Sequence, residues 1–330
     1  MFEIKMNLHL FDTTYNATTS SGLSAENKTF YEKVLLESTK PNLVHNQFGQ
    51  KRSIPKRGGK SIEWRKFSSL AKATTPLTEG VTPAGKTYSV TSVTANVSQY
   101  GDFVGITDLL DLTAIDNNVL EVTKMLGDQA GLTLDTVSRN ELAGGTNVIY
   151  APAGETAVTA RASLTAASLM TVDLVYKAVN QLKRMNVPKI NGDYVCILHP
   201  DVSLDLMRCD EWIQAHKYAV PENIYNGEIG KISGCRFVES SEAVIWKGTG
   251  CPTGLAVYGC IFLGADAYGV VDLEGGGLEH ILKPLGAGED PLNQRSTIGW
   301  KATSVCKRLA EERIVRVECC SSNSANATAN

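Results

Sequence analysis

No stretch of the sequence approaches the roughly 20 consecutive apolar residues that a membrane-spanning helix needs. The start, Met1 to Tyr15, alternates charged, polar and apolar side chains and lacks the apolar core of a secretion signal. Neither a membrane nor an exported location is expected, so the Asn-X-Ser/Thr triplets at Asn16, Asn27, Asn96 and Asn326 read as chance. Cysteine occurs eight times but never as CxxC, and only Cys319 and Cys320 adjoin. That excludes the spacing of a zinc ribbon and signals no disulfide framework, which fits a reduced, cytosolic birthplace. GxGxxG, GxSxG and HExxH are all missing, and with them the usual dinucleotide, hydrolase and zinc-protease signatures. The net charge of −3 gives no overall field to attract nucleic acid.

What is present is a globular composition. The 330 residues suffice for one large domain or two ordinary ones, and 43% hydrophobic with 20% charged residues is the balance of a folded chain. The charge is unevenly placed. Between Lys51 and Lys72 lie eight cations (Lys51, Arg52, Lys56, Arg57, Lys60, Arg65, Lys66 and Lys72) against one anion, Glu63. That segment carries +7, which leaves −10 on the remainder. A basic flap on an acidic body can pair with another copy of itself as readily as with a foreign polyanion.

Residues 12–26 are rich in Thr, Ser, Asn and Gly and read as an arm, followed by a short helix over 29–37 that Pro41 ends. The basic segment follows. Residues 61–65 alternate in the period of a strand, and 88–97 do so again after the turn residues Pro76, Gly80, Pro83 and Gly85. Two polar-faced strands joined by turn-rich chain make a flap that cannot bury itself alone. The longest helical signal spans 117–143, with Asp116 as N-cap and Gly144-Gly145 as stop. It would be about 40 Å long, and Gly127 and Gly131 inside it require a bend or a close neighbour. The second half reads as mixed α/β. Helices are expected at 172–185 and 202–217, and strands at 194–199, 236–239, 255–263, 269–272 and 279–283. Long strands over 297–319 are broken at 307–312, and 321–330 read as a frayed tail.

Several motifs compete with bland readings. Residues 80–87 satisfy GxxxxGK[ST], but a phosphate cradle needs a strand before the loop and a helix after it. Here turn residues precede, β-patterned residues follow, and Pro83 removes a donor. His199-Pro200-Asp201 ends a buried strand, where α/β enzymes place catalytic groups, yet Asp201 as a helix cap explains the same residues. Cys196 and His199, three apart on a strand, point to opposite faces and share no metal. The pairs Asp272/Glu274 and Glu289/Asp290 read as solvated turn charges. In the basic segment Trp64 and Phe67 accompany the cations, but single-strand binding needs a groove on a folded platform, so a protein partner is the better reading. No catalytic, cofactor-binding or metal-ligating residue is nominated. The candidate contact residues are Lys51, Arg52, Lys56, Arg57, Lys60, Trp64, Arg65 and Lys66.

In order along the chain, residues 75–80, 99–104 with 107–116, 126–131, 197–201, 225–230 and 294–300 resemble the major capsid proteins of tailed bacteriophages. The group is the one typified by the N4-like coliphages, with the Hong Kong 97-type capsid fold, and the resemblance spans roughly 74–310. It implies an α+β fold with an N-terminal arm and short helix (1–49), an extended β-hairpin loop (50–99) and a peripheral domain with a long spine helix (100–170). A mixed α/β axial domain (171–290), return strands (291–320) and a flexible tail (321–330) complete it. It also implies a non-enzymatic, cofactor-free subunit of an icosahedral head, assembled in the bacterial cytoplasm and resident in the virion. Its partners would be many copies of itself, as hexameric and pentameric capsomers, with portal, scaffolding and decoration proteins. Double-stranded DNA would be enclosed without sequence-specific binding, and no membrane is involved. An encapsulin-like nanocompartment shares the implied fold, and an α/β enzyme is the reading from another class. Enclosed DNA or cargo would separate the first, and a ligand pocket in a small oligomer would mark the second.

Overall fold

The buried strand expected over 194–199 lies in the middle of a seven-stranded sheet, and it is buried because both faces of that sheet are covered. The structure is a computed structural model describing residues 34–35, 44–68, 70–113, 118–217, 230–274, 277–286 and 292–330. Most of the expected arm and short helix, the Asp116 cap, residues 225–229 and the Glu289/Asp290 pair lie outside those residues. In chain order the strands are β1 (Gln50–Ile54), β2 (Ser61–Phe67), β3 (Val90–Asn96), β4 (Ser98–Thr107), β5 (Val148–Tyr150), β6 (Tyr194–Leu198) and β7 (Lys231–Ile232). They continue as β8 (Cys235–Glu239), β9 (Ile245–Trp246), β10 (Val257–Leu263), β11 (Tyr268–Leu273), β12 (Glu279–Lys283), β13 (Arg295–Arg308) and β14 (Ile314–Cys319). The helices are α1 (Asp108–Thr113), α2 (Asn118–Ala143), α3 (Val172–Arg184), α4 (Pro200–Met207) and α5 (Asp210–Lys217).

The chain divides into two compact units, the smaller built on Gly101–Ala130 and Leu278–Lys301 and the larger on Asn42–Tyr100, Gly131–Gly277 and Ala302–Asn330. In the larger unit the main sheet runs β5-β14-β10-β6-β8-β7, with β9 beside β10. Alternation along each strand sends its side chains to opposite faces. Cys196, Cys260, Phe262, Val315 and Val317 enter one core with Leu174, Ala178 and Leu182 of α3. Val195, Ile197, Ile261 and Leu263 enter a second with Leu142 of α2, Tyr268 and Cys306. Each fully buried Leu or Ile contributes about 1.5–3 kcal/mol, so these two layers dominate the stability of the unit. β14 also carries an ion cluster: Glu318, fully buried, accepts two 2.7 Å bonds from Arg161 and one of 2.8 Å from Arg316. Arg316 also donates to the carbonyls of Ala143 and Gly145, closing the C-terminus of α2 where carbonyls lack helical partners.

The same unit holds the flap. β1 runs parallel to β11, which pairs antiparallel with the second half of β13. β2 and β3 form an antiparallel ladder from Ser61↔Asn96 to Phe67↔Val90. In the smaller unit β12 pairs with the first half of β13, with Glu279↔Lys301 at one end, and β4 also pairs with β13. Gln129 of α2 ties this unit together, donating to Asp102 (2.7 Å) and accepting from Trp300 Nε1 (3.1 Å). α2 is a continuous helix over its 26 residues, with Gly127 and Gly131 buried within it.

Three expectations need correction. The helix expected over 202–217 is two helices, because Arg208 and Cys209 turn back onto Leu204, Asp205 and Leu206. Its cap is His199, whose Nδ1 accepts from Asp201 N at 3.2 Å, rather than Asp201. The tail is not frayed. Asp205 accepts Ser322 N and Oγ (2.8 and 2.6 Å), Asp201 accepts Asn323 Nδ2 (3.0 Å), and Asn330 bonds Ile245 N and Ala243 O (3.0 and 3.1 Å). Small polar residues read as solvated in a sequence, yet here protein groups satisfy them instead of water.

Candidate inter-subunit surface

The basic segment begins as β1, held by its parallel ladder on β11, with Lys51 and Arg52 exposed and Ile54 buried. A turn follows in which Gly58 N donates to Pro55 O at 2.9 Å. Arg57 takes the left-handed conformation (φ 66°), unusual for a side chain of its size, and Gly59 (φ 92°) supplies the second such residue at no cost. Lys56, Arg57 and Lys60 therefore ride on a tight, fully exposed turn. Lys51 partly offsets the burial that pushes the Asp272 carboxyl above its ordinary value.

β2 separates the remaining candidates. Arg65 bonds its neighbour Glu63 at 3.2 Å on the surface. Lys66 bonds Glu312 of the same chain, and that hydrogen bond holds the Glu312 carboxyl below its ordinary value. Trp64 is a correction: only 5% exposed, it packs with Ile54, Ala95, Val97 and Val271 and rests on Gly269, where any side chain would collide with it. Period-2 alternation places Ile62, Trp64 and Lys66 on one face and Glu63 and Arg65 on the other. The indole thus anchors the flap to β11 and is not available to a partner. Lys51, Arg52, Lys56, Arg57 and Lys60 remain presented outward; Arg65 and Lys66 are exposed but paired within the chain.

Sequence patterns missed the apolar part of this surface. Beyond the Phe67↔Val90 rung, the described residues between 68 and 89 have no regular structure and are all exposed. Leu77 and Tyr88 are 77% and 70% accessible, and Phe67 lies 6.1 Å from Tyr88, ring centre to ring centre. On the smaller unit Phe103 of β4 and Leu109 and Leu112 of α1 are equally bare. Leucines in a six-residue helix give no periodic signal to find them by.

The motifs set aside in the sequence stay structural. Residues 80–87 form exposed chain that leads into β3, with no helix to receive a phosphate. Burial lowers the His199 pKa against the pull of Asp201, and both side chains serve α4 and the tail. The eight cysteines are free thiols, six of them buried; burial pushes Cys306 up to about 12 and Cys320 to about 11, which makes them inert. Among the described residues no group of three or more His, Cys, Asp or Glu side chains could hold a metal ion, and no helix is long and apolar enough to cross a membrane.

Comparison with known proteins gives this arrangement a context. The fold is shared with the capsid of the cyanophage P-SCSP1u (17% identity over 83% of this chain and 87% of that one, TM-score 0.64). It is shared as well with the capsid of Ralstonia phage GP4 (16% identity, 84% and 88%, TM-score 0.66). A virus-like particle from Pyrococcus furiosus is also similar (10% identity, 88% and 99%, TM-score 0.52). No curated protein sequence is significantly similar to the chain. The profile of the family described as phage capsid protein matches residues 90–315, two-thirds of the sequence, from the second strand of the flap hairpin to the start of β14. This chain therefore belongs to the phage capsid protein family, a structural protein of the virion shell with the Hong Kong 97-type fold rather than an enzyme.

Proposed function

We propose that the chain is the major subunit of the icosahedral head of a tailed phage, and that its flap is the element that joins one copy to the next. The head encloses double-stranded DNA without reading its sequence, on a body whose charge outside the basic segment is −10. Portal, scaffolding and decoration proteins complete it. In this reading residues 1–49 are an arm, 50–99 the inter-subunit loop, 100–170 a peripheral domain with α2 as its spine, 171–290 an axial domain and 291–320 the strands that return from it.

One observation supports the flap reading above the others. A hairpin anchored by Trp64 carries five outward cations at its base and bare apolar residues beyond its last rung. Apolar surface held in water costs about 25 cal/mol per Å² relative to burial, so such a hairpin is stabilised by a neighbour that covers it. Cations at the base add register and salt-sensitive attraction. Contacts of this kind are heterologous, one patch on a different patch, and close into a shell when curvature permits.

The test is the variant with Arg52, Lys56, Arg57 and Lys60 replaced by Ser. Its shell yield should fall relative to the parent chain, and added salt should weaken parent shells while changing the variant little. Normal shells from the variant at both low and moderate salt would overturn the electrostatic docking. The similarity to the Pyrococcus furiosus particle keeps a nanocompartment as the second reading; purified particles holding protein cargo instead of DNA would favour it.

A further inference from the structure

Where the flap lands is the question the proposed function leaves open, and the surface of the smaller unit offers a complementary seat. α1 contains three leucines in six residues and buries none of them. Leu109 and Leu112 are 68% and 82% accessible. A helix this short has no stability of its own. It is held by its ends: Thr107 Oγ1 accepts from Leu110 N (3.4 Å), Asp108 N donates to Gln294 O (3.0 Å) and Thr113 Oγ1 donates to Leu109 O (2.7 Å). The fold thus spends backbone and side-chain hydrogen bonds to present an uncovered apolar face, flanked by the acids Asp108 and Asp111.

The flap has the opposite character. Its outer part exposes Leu70, Leu77, Val81 and Tyr88, with Lys72 and Lys86 against the single acid Glu79. Lys86 Nζ donates to the Ala71 carbonyl of its own loop at 3.2 Å, a partner that carries no net charge. The Ser68–Ser89 pair closes the ladder, and a turn from Thr78 O to Val81 N, with Gly80 at φ 78°, marks the tip. At about 3.3 Å per extended residue, some ten residues a side give a reach of up to about 35 Å, enough to cross onto another copy.

We infer that α1 of one copy is the seat for the outer flap of another: Leu109, Leu110 and Leu112 cover Leu77, Val81 and Tyr88, while Asp108 and Asp111 meet Lys72 and Lys86. This rests on the reading of the flap as an inter-copy contact and names the partner surface of that contact, the second copy's own acidic, leucine-bearing helix.

A photo-reactive benzoylphenylalanine placed at Leu77 in assembled shells tests it. The expected result is an adduct of two-chain mass whose cross-linked peptide contains residues 108–113. A two-chain adduct mapped elsewhere on the neighbour overturns the seat and leaves the flap reading standing. Intact shells with no two-chain adduct overturn both. The charge-swap experiment is the companion: Asp108→Lys with Asp111→Lys should lower shell yield about tenfold or more, and Lys72→Glu with Lys86→Glu in the same chain should restore it. Asp111, Lys72 and Lys86 are exposed and Asp108 is half-buried, so circular dichroism of the unassembled variants should match the parent. A folded double-site variant that still fails to assemble would count against the pairing.

Discussion

Replacing Gly269 by alanine probes the joint on which the flap turns. A Cβ at this position would lie 2.5 Å from Trp64 Cζ2 and 2.8 Å from Cε2, about 1 Å inside the ordinary approach of two carbons. Ile54, Ala95, Val97 and Val271 pack in one cluster with the indole. Two responses are open. If the ring stays, overpacking costs about 1–3 kcal/mol. If it swings out, the cluster loses most of a buried aromatic side chain, about 2–3 kcal/mol. Both lead to a loss near 2 kcal/mol, read as a lower urea midpoint of the unassembled chain. Amide exchange should rise selectively in β2 and β3, since their anchor to β11 is the part disturbed. Trimming the ring with Trp64→Phe should make the Gly269→Ala step cheaper, giving a coupling of 0.5 kcal/mol or more in a double-mutant cycle. Gly269→Ala within about 0.5 kcal/mol of the parent, with β2 and β3 exchange unchanged, would refute the reasoning.

Other perturbations follow from the buried polar groups. Glu318→Ala leaves two guanidiniums facing each other across a buried gap and should cost about 3–5 kcal/mol by urea unfolding. Removing His45 should cost about 3 kcal/mol. Its backbone N and Nδ1 both meet Asp135 (2.7 and 2.6 Å) in a site closed to water, and differential unfolding of His45→Ala against the parent measures it. The tail should loosen in acid. Burial pushes the Asp201 carboxyl up, but Tyr258, Asn323 and His199 outweigh it, so the folded value lies below the ordinary 3.8. A depressed value means that stability is present above the ordinary value and is lost as pH falls through the folded one. Exchange at residues 321–326 should therefore rise only below about pH 3.8. Asp201→Asn should raise that exchange at neutral pH and flatten its acid dependence.

Legibility in the sequence followed periodicity. The strand at 61–65, the helix at 117–143 and the broken pair of strands over 297–319 appear as β2, α2, β13 and β14, since each pattern persists over several turns or rungs. β1 was not visible: Gln-Lys-Arg-Ser-Ile is a strand because β11 pairs with it, which local composition does not encode. β4, ten residues that are mostly exposed and contain Gly101 and Gly105, was hidden for the same reason. The cations of the candidate surface were plain to read, but the indole among them faces inward, and only strand register decides which side a residue takes. The tail's hydrogen bonds depend on Asp201 and Asp205, more than a hundred residues away in the chain.

The most direct measurement is cryo-electron microscopy of the particles formed when this chain is expressed with the other head proteins of its phage. The account predicts a closed icosahedral shell in which residues 68–89 of each copy lie on a neighbouring copy. Shells in which that segment folds back on its own chain, or a purified chain that stays a uniform monomer with its scaffold supplied, would contradict it.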